Sequence, residues 1–303
     1  MKYILKFFIY LFVIWSCFLP PIALAEELQV VGWLQEVDGD LGNITLIRGN
    51  TRVPVAFFME LHEGDKLIID KSDTIIGVGL AENNMVTITS NQSPYVMRRI
   101  GKPPSIARNL MKWAGNWITG LYKESERGDV VQLVTRAPTL PIKAPVLMAD
   151  PLYVIGTHAG LCVAWQGGSP PFTVTVKAGG DRAESFKEKG VQDRRTCISA
   201  DLIAGKGYEL TIQDVGGNLF ETELVALAPD ALPDEPLELK SSVLPDQSKA
   251  TLYATWLLSR GKGQWILTAY QQVASVADDY LPARLVRDAL ERGEISEVAT
   301  DIE

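Results

Sequence analysis

The sequence predicts a mainly β, multi-domain protein that ends in a small α-helical region. Three observations carry that reading. In residues 61–88, Ile76, Val78 and Leu80 alternate with Gly77 and Gly79 between turn residues. A second stretch, 153–227, repeats the alternation between Gly-Gly, Pro-Pro and Gly-Asn turns. Period-2 alternation broken by turn residues marks antiparallel strands. From residue 247 the apolar spacing becomes helical, through Leu252, Trp256, Trp265, Tyr270 and Leu290, as expected for packed helices.

Taken in order, residues 1–25 read as a signal peptide. Lys2 and Lys6 form a basic start, an apolar run covers 7–18, and Ala23-Leu24-Ala25 supplies a small-residue cleavage site. The apolar run is short for a membrane span; a retained N-terminal anchor is the alternative. Cleavage removes two lysines and no acids, taking the net charge from −8 to −10 over the remaining 278 residues. Such a chain lacks the basic surface that nucleic acid or anionic lipid requires. Its length allows two or three domains.

Residues 28–100 read as about seven short strands, the pattern of a small sandwich or barrel. Turns fall at Asp38-Gly39-Asp40, Gly49-Asn50, His62-Glu63-Gly64-Asp65 and Asn83-Asn84. The bare glycine face at Gly77 and Gly79 calls for a closely packed neighbour.

Residues 32–88 resemble the FecR domain, the periplasmic β-domain of bacterial iron-citrate regulators and of many stand-alone envelope proteins. The likeness rests on the opening Val31-Gly32, the Leu61-x-x-Gly64-Asp65-x-Leu67 turn, and the small-and-apolar strand 74–80 with its following hairpin. Glu82-Asn83-Asn84 stands where that family has an Asp-Gly hairpin. The resemblance implies a periplasmic β-domain over 26–136 that works by interaction. Full regulators of this family place a cytoplasmic sigma-regulating segment ahead of a membrane helix, whereas here only the short basic start that opens Met1-Lys2-Tyr3 precedes the apolar run. A transmembrane signalling role is therefore the weaker implication.

Within 105–126, Ile106, Leu110, Trp113, Trp117 and Leu121 define one stripe of an amphipathic helix, with Ser105 as its N-cap. That stripe either packs on the β-domain or meets a partner. Residues 137–151 hold four prolines and read as a semi-rigid linker. Residues 152–228 read as a sandwich, and Trp165-Gln-Gly-Gly with Gly207-Tyr208-x-Leu-x-Ile resembles bacterial immunoglobulin-like domains. Cys162 and Cys197 lie on two of its strands and can form a disulfide in an oxidising compartment. Residues 229–246 form a second linker. Residues 247–293 resemble a degenerate tetratricopeptide-like helical hairpin with a capping helix, and 294–303 an acidic tail.

Chemistry finds little purchase. His62 reads as an exposed turn residue, and His158 stands too far along a strand from Cys162 for a nucleophilic pair unless the chain turns at Gly160. Acyl-transfer, zinc-protease and nucleotide-binding motifs are missing from the sequence. Residues 214–218 read as a hairpin turn in preference to a calcium loop. The expectation is a periplasmic, non-catalytic protein with no cofactor or metal that binds other envelope proteins. Trp113, Trp117, Trp256, Trp265 and Tyr270 are its candidate interaction surface. Recognition of peptidoglycan or another carbohydrate is the alternative; nucleic acid is not an expected partner.

Overall fold

The computed structural model describes residues 29–80, 85–99, 108–127, 140–156, 160–179, 185–240, 244–260 and 263–294. Among these, strands account for 34% and helices for 31%. The chain is thus mixed α and β, where the alternation pattern alone favoured mainly β. The signal-peptide segment, the Asn83-Asn84 turn, Ser105, Ile106 and residues 295–303 lie outside the described residues.

Two four-stranded sheets build the first β unit. One has the order β4-β1-β6-β7, from Glu60–His62, Val30–Asp38, Ile75–Gly79 and Met85–Thr89. The other has the order β3-β2-β5-β8, from Thr51–Val53, Ile44–Arg48, Lys66–Ile69 and Tyr95–Val96. Ile76 pairs with Ile88 and Val78 with Val86. Ile76, Val78 and Ile88 join Leu34, Leu46, Leu61 and Leu67 in the core, so the alternation places one face inward as strand geometry demands. On the opposite face a Cβ at Gly79 would strike the Trp33 ring and Gln35 Nε2. The bare strand face is therefore filled by side chains of the neighbouring strand.

Two further sheets form the second unit. Five strands run in the order β12-β11-β14-β15-β9: Ser185–Val191, Phe172–Ala178, Gly207–Gln213, Leu219–Leu227 and Tyr153–Ile155. A two-stranded sheet pairs β10, Leu161–Ala164, with β13, Arg195–Ile198. Phe172, Val174, Val176, Leu210 and Ile212 alternate inward and are fully buried.

Five helices complete the described chain: α1 Arg108–Arg127, α2 Leu237–Lys240, α3 Asp246–Leu258, α4 Ile266–Ala274 and α5 Leu281–Arg292. Pro282 in the first turn of α5 and left-handed Gly293 after its end bound that helix, each fitting the orphaned backbone groups there. Helices α3, α4 and α5 pack on one another and touch both β units. The Tyr280 hydroxyl donates to Gln35 O at 2.9 Å in β1. On the other side, Thr268 Oγ1 donates to Tyr153 O at 3.2 Å in β9. The helical trio is thus a wedge shared by both β units.

Both presumed linkers are packed. Ile142, Ala144, Val146 and Leu147 are buried, and Lys143 makes a β-bridge with Gln166. In the second, Leu239 and Leu244 are buried. Apolar residues between the prolines give these segments a face to bury, which outweighs their composition.

Candidate functional site

The Gly64-Asp65 turn organises one end of the first unit. Gly64 holds φ +84, accessible to glycine at little cost. Asp65 is 1% exposed. Its carboxylate accepts from His62 N at 2.8 Å and from Arg48 Nε and Nη2 at 2.9 and 2.8 Å. This bidentate pairing satisfies the buried charge. Arg48 also donates to Glu60 O at 2.9 Å, so one carboxylate fixes β2, β4 and the turn together.

Beside that network, residues 54–59 meet α1. Phe57 N donates to Thr119 Oγ1 at 3.0 Å. A Cβ at Gly115 would collide with Phe57 O. Phe58, at φ +56, is the non-glycine residue with positive φ among the described residues, a costly backbone state for a bulky side chain. Farther along α1, Tyr122 accepts from Leu41 N at 3.3 Å and donates to Glu126 Oε1 at 2.7 Å. Burial, then the Glu126 hydrogen bond, pushes the Tyr122 phenol well above its ordinary pKa.

Between the 54–62 segment and the start of α1 lies a cleft of about 370 Å³, within the roughly 300–1,000 Å³ of small-molecule sites. Phe57, Phe58, Met111 and Trp33 supply its apolar side. Arg108, Lys112, Asn109 and Asn116 from α1 face Glu60 and His62 from β4. Arg108 forms an ion pair with Glu60, and His62 Nε2 lies 3.9 Å from the same carboxylate. Burial, then the Arg48 guanidinium, holds the His62 pKa below its ordinary value, outweighing Asp65 and Glu60. Trp33 Nε1 and His62 Nδ1 are buried without a hydrogen-bond partner. A second groove, of about 980 Å³, runs between the second β unit and α5. There the charges largely answer one another: Arg195 pairs with Glu291 at 3.2 Å, and Arg194 donates to Gly167 O at 2.9 Å.

The residues singled out from sequence divide sharply. Cys162 and Cys197 face one another directly across β10 and β13 and form a disulfide, with Cα atoms 3.9 Å apart. Cys162 is therefore no free nucleophile, and His158 lies outside the described residues. Trp256, Trp265 and Tyr270 are 7%, 5% and 2% exposed. They are wedge core, which corrects the expectation of an aromatic groove. Trp113 and Trp117 are half-buried and stacked, with ring centroids 6.1 Å apart. The buried face of α1 runs through Leu110, Met111, Ala114, Ile118 and Tyr122, so the tryptophans edge it instead of centring it.

His62 is the other correction. It ends strand β4 and is half-buried instead of exposed in a turn. Asp214 accepts from Asn218 Nδ2 and N at 2.8 Å and from Ser169 N at 3.0 Å, so its lone pairs close a turn. Those hydrogen bonds, the Asn218 side chain first, hold its carboxyl below the usual range. Among the described residues no group of three or more His, Cys, Asp or Glu side chains could hold a metal ion, and no helix is long and apolar enough to cross a membrane.

No protein-family model matches the chain, and no curated protein matches its sequence.

Proposed function

We propose that this chain is an exported, non-catalytic envelope protein that acts by binding other proteins, with a FecR-like first unit and an immunoglobulin-like second unit. The observation that carries the binding reading is the stacked Trp113-Trp117 pair, half-exposed on the one helix wedged between the first unit and the C-terminal trio. Rigid, partly exposed aromatics on an immobilised helix lose little entropy on docking, which is the character of an interface hot spot. Support for the immunoglobulin-like reading comes from Tyr208. Its buried hydroxyl accepts from Ile203 N at 2.7 Å and donates back to Asp201 O at 3.4 Å, as a tyrosine corner does. Support for the FecR-like reading comes from the role of Asp65 in closing the Gly64-Asp65 turn.

The test is crosslinking in intact cells of the source organism, comparing the natural chain with a Trp113→Ala/Trp117→Ala variant. Protein crosslinks that the variant loses would support the proposal. Retention on purified peptidoglycan without protein crosslinks would replace it with glycan recognition, in which the same ring faces stack on sugars.

A further inference from the structure

The disulfide lies on the outer face of the β10-β13 sheet. Leu161, Val163 and Ile198 fill the inner face and are at most 2% exposed, so Cys162 and Cys197, one step along each strand, point the other way. Cys197 is exposed and Cys162 half-buried. Thiol-disulfide exchange needs a thiolate to reach one of the two sulfurs directly. A bridge sealed in the core denies that approach; this one is open at its Cys197 end.

The two strands do not depend on the bridge for their placement. Cys162 N and O are both taken by the Gln271 side chain of α4 at 2.8 Å, which leaves the ladder to the flanking pairs, Leu161 with Ile198 and Val163 with Thr196. Trp165 N extends it by donating to Arg194 O at 2.9 Å. Strand β13 has its own tie to the helices, since Arg195 pairs with Glu291 of α5 at 3.2 Å. With the S–S bond cut, each strand keeps its hydrogen bonds and its helix. The two thiols therefore stay opposite one another.

We infer that the Cys162-Cys197 bridge is a reversible exchange site for a dithiol reductant, entered at Cys197. A thiolate of the dithiol attacks Cys197 Sγ; the S–S bond breaks, and its electron pair leaves on Cys162 Sγ, which takes up a proton. The second thiol of the reductant, deprotonated, then attacks the reductant's own sulfur in the mixed disulfide and expels the Cys197 thiolate, which is protonated in turn. The bridge gains two electrons and two protons, and the dithiol becomes a disulfide. A monothiol fares worse, because Cys162 stands opposite at high effective concentration and recloses the bridge by expelling it. The site makes no use of the Trp113-Trp117 surface.

The test treats the native full chain with dithiothreitol or with glutathione at equal thiol concentration, alkylates at intervals, and reads Cys162 and Cys197 by peptide mass. Reduction of the native chain by dithiothreitol should run within about tenfold of the rate in urea, as for a sulfur open to attack. Glutathione should open the bridge at least about tenfold less. Hydrogen exchange at Cys162 N–H should stay slow in the reduced chain, and removal of the dithiol in air should restore the bridge. In Cys162→Ser and Cys197→Ser variants treated with an aromatic disulfide, the adduct should form at least about tenfold faster on Cys197 than on Cys162, with peptide mass keeping Cys17 out of the count. A bridge that yields only in urea, fast exchange at Cys162 N–H after reduction, or equal reactivity of the two thiols overturns the inference.

Discussion

The side-chain amide of Gln271 in α4 clasps the backbone of Cys162 in β10: Cys162 N donates to Gln271 Oε1 at 2.8 Å, and Gln271 Nε2 donates to Cys162 O at 2.8 Å. A glutamine thus stands in for the next strand of a two-stranded sheet whose free edge would otherwise show unpaired groups. Those backbone groups point away from β13, which makes Cys162 and Cys197 a non-hydrogen-bonded pair, the arrangement in which opposite side chains come closest. Replacing Gln271 by methionine keeps the stem and orphans both Cys162 groups. A loss of about 1–3 kcal/mol is expected, read as a lower urea midpoint at unchanged slope. An unchanged midpoint would show that the clasp contributes nothing.

A second tie lies at the other end of the wedge. Tyr280 is 1% exposed, and its hydroxyl bonds Ser248 Oγ at 3.0 Å and Gln35 O at 2.9 Å. Tyr280→Phe leaves Ser248 and the Gln35 carbonyl without that partner, and about 1–3 kcal/mol of stability should go with it. Adding Ser248→Ala removes one orphan and should restore part of the loss, a coupling that a double-mutant cycle in chemical denaturation measures. Strictly additive losses would mean that the hydroxyls do not act together.

How much of this was legible depends on whether the signal was local. The inward set of Ile76, Val78 and Ile88 could be read from alternation, because a strand's faces follow from spacing alone. The wedge could not. Helical spacing around Trp256, Trp265 and Tyr270 announces an apolar face but not what covers it, and here the cover is the chain's own helices and β units. The Trp113-Trp117 stripe was displaced for a related reason: α1 is enclosed on more than one side, so Met111, Ala114 and Ile118 bury as well. The cleft residues Trp33, Arg48, His62, Arg108 and Lys112 share no spacing. Asp65 entered the sequence reading only as part of the Gly64-Asp65 turn, and nothing there pointed to Arg48 as the donor to its carboxylate.

Glu36 predicts a pH effect. Burial, then the nearby Asp38 charge, raises its pKa above the ordinary glutamate value. A group with a raised folded-state pKa stabilises fully below its unfolded pKa, and that contribution fades as pH rises through the folded value. At about pH 7 the ionised carboxylate is held in an unfavourable place, whereas at about pH 3.5 it is protonated in both states. Glu36→Gln should therefore raise the melting temperature at neutral pH and change it little in acid. Thermal unfolding at both pH values decides this; a lower neutral melting temperature in the variant would contradict it.

Two glycines of α1 should respond to the same substitution with opposite signs. Gly115 faces residues 54–59, and a Cβ there collides with the Phe57 carbonyl, a backbone atom that no rotamer change can move aside. Gly120 lies one turn and a little further along, and a Cβ there meets nothing within 4 Å. Alanine is favoured over glycine inside a helix by about 0.8–1 kcal/mol, because glycine loses more backbone freedom on folding. Gly120→Ala should therefore stabilise the chain by up to about 1 kcal/mol. Gly115→Ala gains the same propensity but must push α1 off the first β unit, stretching the Phe57 N to Thr119 bond, and should lose about 1–3 kcal/mol on balance. Urea unfolding of the two single variants checks the pair, and hydrogen exchange at Phe57 N–H should quicken in Gly115→Ala alone. Equal stabilisation by both substitutions would mean that α1 does not seat against Phe57 as described.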